Sequence, residues 1–257
     1  MAVAEKNRLK KWIYQTNDLD LLVQYYDKTA DLRNDTETDR LERRIASALA
    51  LDTMISRLKA DRETMILDAQ VFGVRRSGNR IELMGVLPDV ETGGYGDDPL
   101  AAGWHQLFRG RGIEISTEDL SMFAMEGYPL YVMRELVDKV LPKTQVVTQK
   151  LLSYDNLPDE ENRVTERSEY NGQLAEKIRG IVWGAVEKWR SPVLITVGDI
   201  TLTVIGVDED DLLYVEEGFA GIESQLSEID TEALIDDGAN GLGNVSIVYL
   251  ADREAVE

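Results

Sequence analysis

Along the first quarter of the chain, apolar residues recur at helical spacing. Ala4–Gln15 reads as a short basic segment carrying Lys6, Arg8, Lys10 and Lys11. Asn17 or Asp18 then caps a helix whose stripe is Leu19, Leu22, Val23, Tyr26 and Ala30. After the turn "RNDTETD", Thr36 opens a long helix with Leu41, Ile45, Ala48, Leu49, Ile55 and Leu58 on one face and Arg40, Arg43 and Arg57 on the other. The rhythm then shortens. "AQVFGVRRSGNRIELMGVLPDV" alternates about the turn residues Ser77-Gly78-Asn79, and Pro88 ends the second strand of a hairpin. The glycine-rich "ETGGYGDDPLAAGWHQLFRGRG" predicts a long surface loop.

Helical spacing returns next. Ser116 with Asp119 has the form of a capping box opening a helix to about Glu126, and Gly127 breaks it. Pro129 suits the first turn of a helix carrying Leu130, Met133, Val137, Val140 and Leu141, and Pro142 starts a further short helix through Leu152. "SYDNLPDEENR" has linker composition. Thr165 begins a helix that stops before Pro192, with the stripe Leu174, Ile178, Ile181, Ala185 and Trp189. Gly180 and Gly184 on it suggest a close approach of another backbone. "ITVGDITLTVIGVDEDDLLYVEEG" then alternates again, as strand, tight turn at Gly198-Asp199, strand, acid-rich turn and strand, with Gly206 marking a bulge. "GIESQLSEIDTEALIDD" predicts an acidic helix, "GANGLGN" a loop and "VSIVYLA" a final strand.

These elements predict an α+β fold: a helical N-terminal half, antiparallel hairpins at about 69–87 and 193–216, and a long helix before a small C-terminal sheet. Two regions are expected: 1–154, mainly helical with one hairpin, and 165–257, a helix plus a small acidic sheet. If the two strand pairs join one sheet, both regions form one continuous domain.

Charge sharpens this picture. The formal net charge is −20, from 28 basic and 48 acidic residues. Ser191–Glu257 holds 16 acidic residues against one basic, Arg253, while Met1–Leu67 is balanced at 12 and 12. Salt adaptation should acidify the whole surface, whereas this chain acidifies one end, which favours a local purpose. A segment without lysine or arginine between Ser191 and Asp252 disfavours nucleic acid as its ligand. The chain has no cysteine, which excludes disulfides and thiolate chemistry. With no apolar run of signal-peptide or membrane-spanning length, it is expected in a cytoplasm or a virion, neither secreted by a signal peptide nor spanning a membrane.

Candidate chemistry is sparse. His105, the one histidine, lies near Asp97 and Asp98, but no HxxxH or HxH spacing supports a zinc site. Asp208-Glu209-Asp210-Asp211 has oxygen ligands for calcium or magnesium but lacks the calcium-loop glycine and glutamate; a charged turn is the simpler expectation. Asp236–Asn244 fails the same pattern. Gly93-Gly94-Tyr95-Gly96 is not followed by the lysine and hydroxyl residue of a phosphate loop. Arg109 and Arg111 in "FRGRG" read as loop arginines able to meet an acidic neighbour or a phosphate, and Asp52 as a carboxylate at the edge of a helix's apolar arc.

No catalytic, cofactor or metal residue is therefore assigned. Asp208, Glu209, Asp210, Asp211, Arg109, Arg111, Arg40 and Arg43 are the expected interaction residues. The expected role is a non-enzymatic subunit of a large oligomeric complex, with the head–tail junction, tail or baseplate of a tailed virus as one setting. Its expected partners are other protein subunits, including copies of itself, rather than a membrane or a specific nucleic-acid sequence. Two alternatives are a metal-dependent enzyme using the acidic turns and His105, and a soluble acidic adaptor or DNA mimic that binds a basic partner.

Overall fold

Asp18 opens the first helix, its Oδ1 accepting the Leu21 amide at 3.0 Å. The structure is a computed structural model that describes residues 11–60, 72–85, 98–124, 127–151, 163–216, 225–239 and 244–253. The linker-like "SYDNLPDEENR", the phosphate-loop candidate at Gly93–Gly96 and Asp97 lie outside the described residues, save Arg163 at the linker's end. The chain divides into two compact units, Met1–Thr64 with Asp119–Pro142, and Met65–Glu118 with Lys143–Glu257.

The first unit is helical. Helix α1 spans Leu19–Lys28 and α2 spans Asp35–Ala60. Asn34 caps α2 by accepting the Glu37 amide at 2.9 Å. The two helices bury Leu22 against Leu41 and Ala48, with Ile13 and Tyr14 completing the cluster. Arg44 is almost fully buried on α2. Its guanidinium donates to Thr16 O at 2.5 Å and to Asn17 Oδ1, while the Asn17 amide donates to Glu135, so one buried cation fastens the chain entering α1 to α2. Asp52 is exposed, so it needs no buried partner.

Two shorter helices, α3 (Pro99–Arg109) and α4 (Thr117–Ser121), lie along the chain between the hairpin and α5 (Leu130–Val140). Helix α4 is shorter than its capping box suggested. Pro129 stands just outside α5, in the N-cap position with extended geometry. Helix α5 buries Val132, Met133, Leu136 and Val137.

The second unit is built on one eight-stranded sheet. Its strands are β1 (Gly73–Ser77), β2 (Arg80–Met84), β3 (Thr144–Leu151), β4 (Val193–Val197), β5 (Ile200–Asp208), β6 (Asp211–Glu216), β7 (Gln225–Asp230) and β8 (Val245–Asp252). All pairs are antiparallel, in the order β1-β2-β5-β4-β8-β3, and β6 joins β5 to β7. The two sequence-distant hairpins thus share a sheet, with Ile81 opposite Val207. Helices α3, α6 (Arg163–Gly184) and α7 (Thr231–Ala239) belong to the same unit, and a π-helical turn, Ala185–Trp189, follows α6. Ala175, Ile178 and Val182 of α6 pack into a core with Ile81, Ile195, Val204 and Ile247.

Gly206 sits where the β5–β6 register shifts, between Val204 and Gly206. A Cβ there would lie 2.2 Å from Ile81 O, so only glycine lets β2 close on the bulged strand.

Besides the loop expected at residues 91–112, part of which is α3, three expectations fail against the structure. The segment after Pro142 is strand β3, not a helix: its run Thr144, Val146, Val147 and Thr148 pairs with β8 from Thr144–Asp252 to Leu151–Val245. The acidic "helix" after Gly221 is strand β7 followed by α7, because β6 presents an edge that Gln225–Asp230 fills and Asp230 then caps the helix through the Ala233 amide at 2.8 Å. Among the described residues, no backbone packs on Gly180 or Gly184: a Cβ at either would meet nothing within 4 Å.

Candidate functional site

Strands β5, β6 and β7 bring their carboxylates to one end. Asp208 closes β5, Glu209 and Asp210 form the turn, and Asp211 opens β6 directly across from Asp208. The turn is tight enough to hold Glu209 at φ +50°, the left-handed region that costs a side chain free energy. The β6–β7 register then sets Asp211 opposite Asp230, with Glu228 two places along. Like charges directly opposite in a ladder destabilise it. The Asp211 carboxyl accordingly titrates above its usual range, pushed up by partial burial and by Asp230, Glu228, Asp208 and Asp210.

Arginines answer part of this charge. Arg80 on β2 pairs with Asp208 at 2.8 Å, Glu82 at 2.8 Å and Glu228 at 3.2 Å. Hydrogen bonds to Glu82 and Asp208 raise its own pKa, so it stays a cation at any working pH. Arg75 also reaches Glu82, at 3.0 Å. Arg179 of α6 meets Asp210 at 3.3 Å. The main chain of Asp210 is occupied too: its carbonyl accepts from Thr231 N at 3.2 Å and from Thr231 Oγ1 at 2.7 Å. The four acidic residues are therefore unequal. Asp208 and Asp210 are tied into the fold, Asp211 faces Asp230, and Glu209 is exposed at the tip.

The other expected residues stand elsewhere. Arg111 is no loop arginine in solvent. It is mostly buried, pairs with Asp252 at 2.7 Å and donates to Leu250 O at 2.6 Å, which ties the segment after α3 to β8. Burial lowers its pKa and Asp252 opposes that shift. Arg109 is the last residue of α3. Arg40 and Arg43 lie exposed on α2 of the helical unit. Arg40 stacks its guanidinium 4.1 Å from the Tyr14 ring centre. Tyr14 donates to Glu37 at 3.2 Å, and burial followed by Glu37 pushes its phenol up to about 12. Arg43 donates to Asp39 O at 3.3 Å.

His105 lies on helix α3, where a loop was expected. Asp98 accepts the Leu100 and Ala101 amides at 3.1 Å, Pro99 fills the first turn, and Trp104, Leu107 and Phe108 form the buried face. The cap and stripe were present in the sequence, but the flanking glycines masked them. His105 Nδ1 lies 2.6 Å from Ile115 O and Nε2 lies 3.6 Å from Glu114. Both contacts hold the chain that leaves the helix. Among the described residues, no group of three or more histidine or acidic side chains is arranged to hold a metal ion. Also among them, no helix is long and apolar enough to cross a membrane.

Sequence reading did not find Arg80, Arg179, Glu228 or Asp230 as members of this site. They come from three separate elements, β2, α6 and β7, and only strand register and the packing of α6 join them. No family model matches the chain, and neither a curated protein nor a solved structure matches it.

Proposed function

We propose that this protein is a non-enzymatic subunit of a larger oligomeric assembly and that it associates through the acidic end of β5, β6 and β7. One observation carries the reading: Asp211 and Asp230 oppose each other in the ladder, beside Glu228 and Asp208, at a cost in stability. Carboxylates that only needed to solubilise a turn would gain by standing apart. Held together on a rigid sheet end, they create a negative field that steers and orients a cationic surface. They also discourage stray strand pairing at β7, which among the described residues pairs only with β6. Segregated charge supports the assembly reading, and the head–tail junction, tail or baseplate of a tailed virus is one setting for it.

Light scattering of the native protein tests this across salt from about 50 mM to about 1 M, a range over which screening shortens from more than 10 Å to about 3 Å. A mass above that of one chain at low salt, falling as salt rises, is the expected result. A single-chain mass at every salt and protein concentration refutes the reading.

A further inference from the structure

Beside the acidic turn, the surface is concave. Glu176, Arg179, Gly180 and Trp183 line one stripe of α6 and face Val207, Glu209 and Asp210 across a groove of about 580 Å³. The volume suits a side chain with its flanking backbone. At Gly180 the wall is bare main chain, since a Cβ would meet nothing within 4 Å. Trp183 is half-buried and already attracts one cation: the Arg76 guanidinium lies 5.2 Å from its ring centre, held by Glu187 at 2.8 Å. The rim carries three carboxylates, Glu176, Glu209 and Asp210, against one guanidinium, Arg179, which is engaged with Asp210 at 3.3 Å.

We propose that this groove is a docking site for a lysine- or arginine-bearing segment of a partner protein. The inference rests on the assembly reading above and names the contact it uses. A cationic side chain fits each part of the groove. Its aliphatic stem lies along the open backbone at Gly180, and its charged head meets the carboxylates of Glu176 and Glu209 beside the indole of Trp183. An anion would meet a net negative rim, and an apolar ligand would strip water from carboxylates and give nothing back.

The test uses a fluorescently labelled hexalysine peptide and the full chain, with binding read by fluorescence anisotropy. Gly180→Leu fills the groove without altering charge, on an exposed helical site that accepts a side chain. It is expected to weaken hexalysine binding about tenfold, the order set by displacing one cation from an aromatic face and its neighbouring carboxylate. Glu209→Gln is expected to weaken binding more than Asp199→Asn, which removes the same charge at the β4–β5 turn. Equal effects of those two neutralisations, or wild-type affinity in Gly180→Leu, would mean diffuse attraction of a polycation to an acidic protein and overturn the proposal. So would wild-type protein that does not bind hexalysine. If that protein still assembles by light scattering, the groove is refuted while the assembly reading stands.

Discussion

Replacing Gly180 by alanine gives opposite outcomes under two readings of the same residue. The sequence pattern, with Gly180 and Gly184 one turn apart, suggests that another backbone packs there. A methyl group would then clash, at a cost of about 1–3 kcal/mol. The structure places Gly180 in the interior of α6, exposed, with no atom within 4 Å of a built Cβ. Its φ is not in the left-handed region. What remains is backbone entropy: glycine costs a helix interior about 0.8–1.0 kcal/mol relative to alanine. Gly180→Ala should therefore stabilise the sheet-containing unit by about 1 kcal/mol, equivalent to about 2–4 °C in melting temperature for a unit of this size. Calorimetry of wild type and variant, supported by urea titration, checks both sign and size. A fall in stability of about 1 kcal/mol or more would show that a neighbouring backbone occupies the space, and the groove described above would then not exist.

Three further outcomes follow from the sheet. Gly206→Ala forces a Cβ to 2.2 Å from Ile81 O and 2.9 Å from Glu82 Cα, and should cost more than about 2 kcal/mol or prevent folding; urea denaturation measures it. Glu209→Gly relieves the left-handed turn at φ +50° and should raise the urea midpoint by the equivalent of about 1 kcal/mol, the left-handed penalty less part of glycine's extra entropy. The folded-state pKa of Asp211 is raised, so its protonated form favours folding and that contribution is lost as pH rises through the folded value. Asp211→Asn should thus be more stable than wild type at pH 7, and the gap should narrow as pH falls through the raised folded value and vanish below the ordinary aspartate pKa of about 3.9. A gap independent of pH would show that Asp211 does not feel its neighbours.

Local chemistry made much of this protein legible from sequence. The helices α1, α2, α5 and α6, the turn residues at Gly78 and Gly198 and the α+β class depend on residues close in the chain, although Val23 and Leu49 of the expected stripes are exposed and Ala30 lies beyond α1. Charge segregation was equally plain, because it is a matter of counting. Misreadings came where distant partners decide. Thr144–Leu151 becomes a strand because β8 lies beside it, and Gln225–Asp230 because β6 offers an open edge. The site itself was half visible. Asp208–Asp211 is a local run that any reading would find. Its opposition to Asp230, its ties to Arg80 and Arg179, and the groove beside Trp183 arise only when register and helix packing bring separate segments together. Sequence alone determined the strongly striped helices, the tight turns and where negative charge accumulates, since propensity, turn geometry and charge are properties of neighbouring residues. Tertiary structure alone decided which carboxylates are neutralised and which remain exposed, since those interactions act through space between residues far apart in the chain.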